Sequence, residues 1–168
     1  GCVKCHMAEP VGGGGGIVGG HTWWMEAPGL EGAVVKNLTG CRDAACHGPT
    51  FASFDYISVS SALTGGQGVE TYVERYLDTL KVMMLDPNVV GKWTAGTPKA
   101  WIVEDPRTGA LSINAGTSGG LTPLKITPAS RSGALYNFFF LEHEGSFGGH
   151  NSKYAIELLQ SSIAELRK

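Results

Sequence analysis

Apolar side chains recur at helical spacing in three stretches of the chain. In VETYVERYLDTLKVMML, Val69, Tyr72, Val73, Tyr76, Leu77 and Leu80 share one stripe, while Glu70, Glu74 and Asp78 fall on the opposite side. An i, i+3, i+4 pattern of this kind predicts an amphipathic helix, and Met83 and Met84 fit its interior. Asp86-Pro87 ends it, because a residue before proline is driven out of the helical region. SGALYNFFFLEHEG predicts a second helix over 132–144. NSKYAIELLQSSIAELRK predicts a third, with Asn151 or Ser152 as N-cap and Ala155, Leu158, Leu159, Ile163 and Leu166 as its apolar face. Arg167 and Lys168 suit the negative end of that helix's dipole. AWIVEDPRTGAL predicts a small hairpin turning around 105–109. The expected fold class is mainly α with long irregular loops.

Between these stretches the pattern is lost to glycine, which accounts for 25 of 168 residues. VGGGGGIVGG over 11–20 is too glycine-rich for the interior of an element, since each glycine costs about 0.5–1 kcal/mol relative to alanine there; it reads as a loop able to lie against a flat object. GHTWWM follows, an aromatic cluster around His21. A short helical turn and then loop are expected over 40–54. The segment 91–131 is rich in Gly, Pro, Thr and Ser, and a loop of such length is usually functional or wraps something. The length predicts a single domain, 1–168, with a thin apolar core of its own. Something other than side chains is expected to fill the middle.

A net charge of −2 gives no electrostatic reason to bind nucleic acid or anionic lipid. No apolar run reaches the roughly 18 residues needed to cross a bilayer, so no transmembrane segment is expected. The start of the chain has no charged stretch followed by an apolar one, and any export signal is expected to have been removed or to lie outside this sequence.

The four cysteines change the picture. They fall as CVKCH, with Cys2 and Cys5, and CRDAACH, with Cys41 and Cys46; each second cysteine is followed at once by histidine, His6 and His47. With five histidines in 168 residues, chance gives both coincidences on the order of once in a thousand. The order has a chemical meaning. Two thiols at short fixed spacing can add across the two vinyl groups of one haem, and the next residue then presents an imidazole to the iron as proximal ligand. The second motif, with four residues between its cysteines, is the rarer variant. A redox disulfide would need CxxC in a strand-to-helix turn, whereas Met7, Ala8, Glu9, Pro10 and a glycine run follow here. A zinc site would leave both trailing histidines unexplained and would have to bridge the 35 residues between Cys5 and Cys41. Two haem c groups are therefore expected.

Two haems take up to four axial ligands, and His6, His21, His47, His143 and His150 are available. His21 and His150 each have glycines on one side and aromatics or a helix start on the other, as a distal ligand requires; His143, in LEHEG, reads as a surface residue.

CVKCHMAEP, GGHTWWM and ALYNFFFLEHEGSFGGHNSKYAIELLQSSI resemble the C-terminal part of the multihaem c-type cytochromes related to cytochrome c nitrite reductase, hydroxylamine oxidoreductase and the octahaem cytochromes. The resemblance covers about 2–21 and 132–163, with the second motif between, and is weak over 91–131. It implies a multihaem architecture with a core built around covalently bound haems, in the periplasm, outside the cell or at its surface. It further implies that His150 is the distal ligand of the haem on Cys2, Cys5 and His6. His21 would then serve a haem whose attachment site lies outside this chain. The other pairing keeps His21 and His150 for the two haems of this chain, in either order. The CRDAACH spacing and the loop before the last helices depart from the family pattern.

The expected function is electron transfer through two bis-histidine haems, in partnership with other cytochrome subunits or redox proteins and in an oligomer or complex that shares ligands. The chain is expected to be the C-terminal portion of a longer cytochrome or one subunit of such an assembly, with neighbouring structure against Gly1. The alternative is an oxidoreductase that acts on a small nitrogen species, of nitrite or hydroxylamine type, at a five-coordinate haem; the lysine ligand that the resemblance implies for a catalytic haem stands in the ligand position of neither CVKCH nor CRDAACH.

Overall fold

The structure, a computed structural model, describes residues 1–11, 17–29, 33–57, 61–90, 102–113, 126 and 128–168. The expectations for the glycine run at 12–16 and for most of 91–131 lie outside these residues. The chain divides into two compact units, Gly1–Tyr56 and Ile57–Lys168.

The first unit is built from short pieces. Helix α1 spans Cys2–His6, a 3-10 turn spans Gly20–Thr22, strands β1 (Glu26–Pro28) and β2 (Val34–Lys36) pair antiparallel, and a second 3-10 turn spans Gly40–Arg42. Ala27 faces Val35 across the ribbon, and Glu26 faces Lys36 with their charged groups 3.1 Å apart. A polar side chain ties these pieces. Asn37 is fully buried; its Nδ2 donates to the Ala8 carbonyl at 2.7 Å and its Oδ1 accepts from the Thr39 amide at 3.2 Å. Burial without those partners would cost about 1–3 kcal/mol, so the site demands an amide side chain. Gly19, at φ +71°, lies directly against the Ala8 carbonyl and the Asn37 amide, where no Cβ fits. Among the described residues of this unit, only Val18, Ala27 and Phe51 are both apolar and buried. Trp23, Trp24, Val3 and Val34 are exposed. So short a unit with so few buried apolar groups has little hydrophobic stabilisation of its own.

The second unit has a conventional core. It contains α2 (Ser61–Thr64), α3 (Val69–Leu85), α4 (Pro87–Val90), strands β3 (Ile102–Glu104) and β4 (Leu111–Ile113), α5 (Ala129–Glu144) and α6 (Ser152–Leu166). Helix α6 packs on both α5 and α3. Val69, Val73, Leu80 and Met84 of α3, Phe138 and Leu141 of α5, and Ile156, Leu159 and Ile163 of α6 are buried. The three predicted helices are present, and the mainly α reading holds. Asn151 is the N-cap of α6, its side chain accepting from the Tyr154 amide at 3.2 Å. Two details differ from the periodicity. Helix α5 starts earlier, at Ala129 just past Pro128, since proline is tolerated at a helix entrance. The buried face of α6 includes Ile156 and Ser162 and leaves Leu158 only half-buried, because a helix that packs against two neighbours buries a wider sector than one stripe. Ser162 is accommodated by donating to the Leu158 carbonyl at 2.7 Å and accepting from Asn137 at 3.0 Å.

The predicted hairpin is also present, with β3 and β4 antiparallel. Its turn is set by Asp105, whose Oδ1 accepts from the Arg107 amide at 2.8 Å, and by Gly109 at φ +71°. Lys81 of α3 anchors it, reaching Glu104 and the Gly109 carbonyl, both at 2.7 Å. No helix among the described residues is long and apolar enough to cross a membrane.

Tyr72 links α3 to α6. It accepts from Gln160 Nε2 at 3.1 Å and donates to the Tyr76 hydroxyl at 2.9 Å. Burial, and next the Tyr76 hydroxyl, push its pKa above the ordinary phenol value. The folded state thus holds this proton more tightly than the unfolded chain does. That contribution is complete below the unfolded phenol value of 10.0 and is lost as pH rises through the higher folded value. Denaturant titration of Tyr72→Phe should show a loss of about 1 kcal/mol at neutral pH and a shallower decline of stability above pH 10 than in the parent protein; equal slopes would contradict this.

Candidate functional site

The first motif forms α1, a single helical turn. An i, i+3 spacing places Cys2 and Cys5 on the same side of a helix, and His6 follows as its last residue. The turn is closed by Lys4 N–H donating to the Gly1 carbonyl at 2.9 Å and Met7 N–H to the Val3 carbonyl at 3.0 Å. Cys2 is exposed and Cys5 partly buried, and none of the four cysteines is in a disulfide.

The second motif solves its longer spacing with an acidic turn. Asp43 Oδ1 accepts from the Ala45 amide at 2.9 Å, and the Asp43 carbonyl accepts from the Cys46 and Gly48 amides at 2.9 and 3.0 Å. This is an Asx turn, in which a short carboxylate caps its own backbone. It loops out the extra residues, and His47 N–H then donates to the Cys41 carbonyl at 3.3 Å. The two ends of CRDAACH are thereby joined by a backbone hydrogen bond.

The two motifs pack on each other at Gly40. A Cβ there would stand 2.5 Å from the Lys4 carbonyl oxygen and 2.6 Å from Cys5 Cα, both backbone atoms. Glycine is required for this approach. Lys4 Nζ pairs with Asp43 Oδ2 at 2.6 Å across the junction, and Lys4, with the Ala45 amide, holds the Asp43 carboxyl below its ordinary range. Cys5 Sγ lies 4.0 Å from the Gly40 carbonyl oxygen. Burial, then the neighbouring Cys5, raises the Cys41 thiol above its ordinary pKa, which keeps Cys41 a protonated thiol near neutral pH.

His6 is oriented by the aromatic segment around His21. Its Nδ1 is 2.9 Å from the Trp23 carbonyl oxygen. A carbonyl only accepts, so Nδ1 carries the proton and the ring's lone pair lies on Nε2. This is the arrangement that prepares an imidazole for a metal. The Trp23 indole lies 6.0 Å from the imidazole with 27° between planes. Trp23 adopts φ 60°, an uncommon conformation for a bulky residue. It is held there because the Gly19 amide donates to the Trp24 carbonyl at 2.8 Å and Thr22 Oγ1 donates to the Gly19 carbonyl at 2.7 Å. His21 sits in this same turn with an exposed side chain.

His47 is exposed and packs against Phe51 at 4.4 Å and Tyr56 at 5.3 Å between ring centroids. Arg42 Nε donates to the Phe51 carbonyl at 2.8 Å and so ties this aromatic cluster, FASFDY, to the motif. Periodicity did not single out Phe51 or Tyr56; three aromatics within nine residues after the motif were the available signal.

His150 belongs to the second unit, on the turn that joins α5 to α6. Gly145 at φ 70°, Phe147 at φ 44° and Gly148 at φ 85° build that turn, and a Cβ on Gly148 would stand 3.1 Å from both Val69 and Val73. His150 Nδ1 is 3.7 Å from Glu144 Oε2, and Glu144 also accepts from Ser146 Oγ at 2.6 Å. His143 is exposed, with Nδ1 2.8 Å from the Phe139 carbonyl one turn back in α5.

The structure therefore gathers Cys2, Cys5, His6, His21, Cys41, Cys46 and His47 in one small unit and carries His150 on the other. Among the described residues, no group of three or more His, Cys, Asp and Glu side chains is placed to hold a bare metal ion. No protein-family model, curated protein or solved structure matches the chain.

Proposed function

We propose that the protein is a dihaem cytochrome c that carries electrons, working outside the cytoplasm with other cytochrome subunits or redox proteins in an oligomer or larger complex. The observation that carries this reading is the junction at Gly40, where two Cys–Cys–His motifs 35 residues apart pack backbone to backbone. The residues fit the group. Cys2 with Cys5, and Cys41 with Cys46, offer four thiols free of disulfides for thioether bonds to two haems. His6 and His47 are the proximal ligands, and the Trp23 carbonyl keeps the His6 lone pair on Nε2. When bound, haem supplies a one-electron ferric–ferrous couple whose potential depends on its ligands and burial.

The chain's own part is to attach, orient and shield. The scarcity of buried side chains among the described residues of the first unit, together with exposed Trp23, Trp24 and Val3, suits a prosthetic group that completes its core. His21, on the turn that also carries Trp23, and His150, beside Glu144, are proposed as distal ligands. With both axial positions filled by imidazole, no position is left for substrate, which favours electron transfer over the alternative of nitrite or hydroxylamine chemistry.

The Cys41→Ala/Cys46→Ala double variant tests the two-site reading. It should retain one covalently bound haem, reducible by dithionite, with a wholly low-spin spectrum. Retention of two haems, or a high-spin signal in the parent protein that shifts on addition of nitrite, hydroxylamine or cyanide, would overturn the reading.

A further inference from the structure

A groove of about 380 Å³ runs between α3 and α6 in the second unit, lined by Arg75, Tyr76 and Thr79 on one side and Gln160, Ile163 and Arg167 on the other. The spacings 75, 76, 79 and 160, 163, 167 are those of residues sharing one helix face, so both helices turn these residues towards the same space. Two guanidinium groups thus line one small groove. Among the described residues neither forms an ion pair with an Asp or Glu side chain, whereas Lys4, Lys36, Lys81, Arg107, Lys153 and Lys168 each do. The remaining residues of the second unit contain no Asp or Glu at all.

The hydroxyls add a direction. Gln160 donates to Tyr72, and Tyr72 donates to Tyr76. Each phenol in such a relay passes on its own O–H, so the relay ends on the Tyr76 hydroxyl, which lines the groove. Arg75 lies over the Tyr72 and Tyr76 rings, its guanidinium carbon 5.1 and 5.6 Å from their centroids. Such cation–π contacts use the charge of a guanidinium without consuming its N–H donors, which stay available to an acceptor. Planar donors with a second cation and a phenolic O–H form a set complementary to an oxyanion, which accepts from all of them.

We propose that this groove binds a small oxyanion, a phosphate or carboxylate group of a soluble ligand, through Arg75, Arg167 and the Tyr76 hydroxyl. The site does not depend on haem, and it lies on the α3 and α6 faces of the second unit.

Calorimetric titration of the whole protein with inorganic phosphate and, separately, with succinate, each against sodium chloride at matched ionic strength, tests the proposal and tells the two oxyanion sources apart. A saturable response to either anion is expected, weakened about tenfold by Arg167→Gln and by Arg75→Gln and unaffected by Lys153→Gln. Arg167→Gln leaves the Arg75 contacts with Tyr72 and Tyr76 intact, so its effect cannot be ascribed to their loss. A response no larger than that to chloride, or one retained in both arginine variants, would overturn the proposal.

Discussion

Gly40→Ala should abolish the assembly of the first unit while the helices of the second unit remain. The added methyl would lie 2.5 Å from the Lys4 carbonyl oxygen, 2.6 Å from Cys5 Cα and 3.0 Å from the Cys5 carbonyl oxygen. None of these atoms is the flexible end of a side chain. Relief requires α1 to move off the second motif, which lengthens the Lys4 to Asp43 ion pair and exposes Cys41. Overpacking of a close contact costs about 1–3 kcal/mol, and a unit with so few buried apolar residues cannot absorb that. Covalent haem incorporation should therefore fall about tenfold or more at unchanged expression, while far-UV circular dichroism retains the helical signal of α3, α5 and α6. Gly133→Ala is the control: it sits within α5, where a Cβ meets nothing within 4 Å, and should be neutral or gain up to about 1 kcal/mol from helix propensity. Normal haem incorporation by Gly40→Ala would mean that the packing of the two motifs is irrelevant to attachment.

His6→Gly should have the next largest effect, and on a different observable. It leaves Cys2 and Cys5 in place, so the covalent bonds can still form, but it removes the imidazole that the Trp23 carbonyl orients through Nδ1. About half of the low-spin absorption should be lost if, as proposed, His6 supplies the proximal nitrogen of one of two haems. Imidazole added to the buffer should restore it, as a small ligand of the same chemistry filling the space. Chemical rescue separates lost ligation from lost folding, because imidazole does not refold a collapsed unit. An unaltered low-spin spectrum in His6→Gly would remove His6 from the proximal position. No recovery with imidazole, in a variant whose helical signal is intact, would point to a structural role.

The parts legible in the sequence were those encoded locally. The stripes in α3, α5 and α6 were readable because a helix repeats its burial every 3.6 residues, and the β3–β4 turn because Asp105 and Gly109 carry the chemistry of a turn. His6 and His47 are proposed as ligands from motif spacing, and His21 and His150 from the glycines, aromatics or helix start that flank them. What spacing does not carry is approach between distant segments. Gly40 is one of 25 glycines, and nothing nearby marks it as the one that must admit another backbone. The partner of His6 is a carbonyl 17 residues away, a group every residue possesses. The Asp43 turn explains how the longer motif closes, yet an aspartate beside alanines signals a turn without saying which atoms it brings together. The β1–β2 ribbon escaped notice because three-residue strands are too short for alternation to show. The buried sector of α6 takes in Ile156 and leaves Leu158 near the edge, because the pattern of one helix does not reveal how many neighbours it has.

Each of the two motifs is proposed to carry a covalent haem. The most direct test is the intact mass of the denatured protein after acid–acetone extraction, purified from cells competent to attach haem to cysteine. The expected mass is that of the chain plus two haem groups, with none extracted. The bare chain mass, or a chain with a single haem in the parent protein, would contradict it.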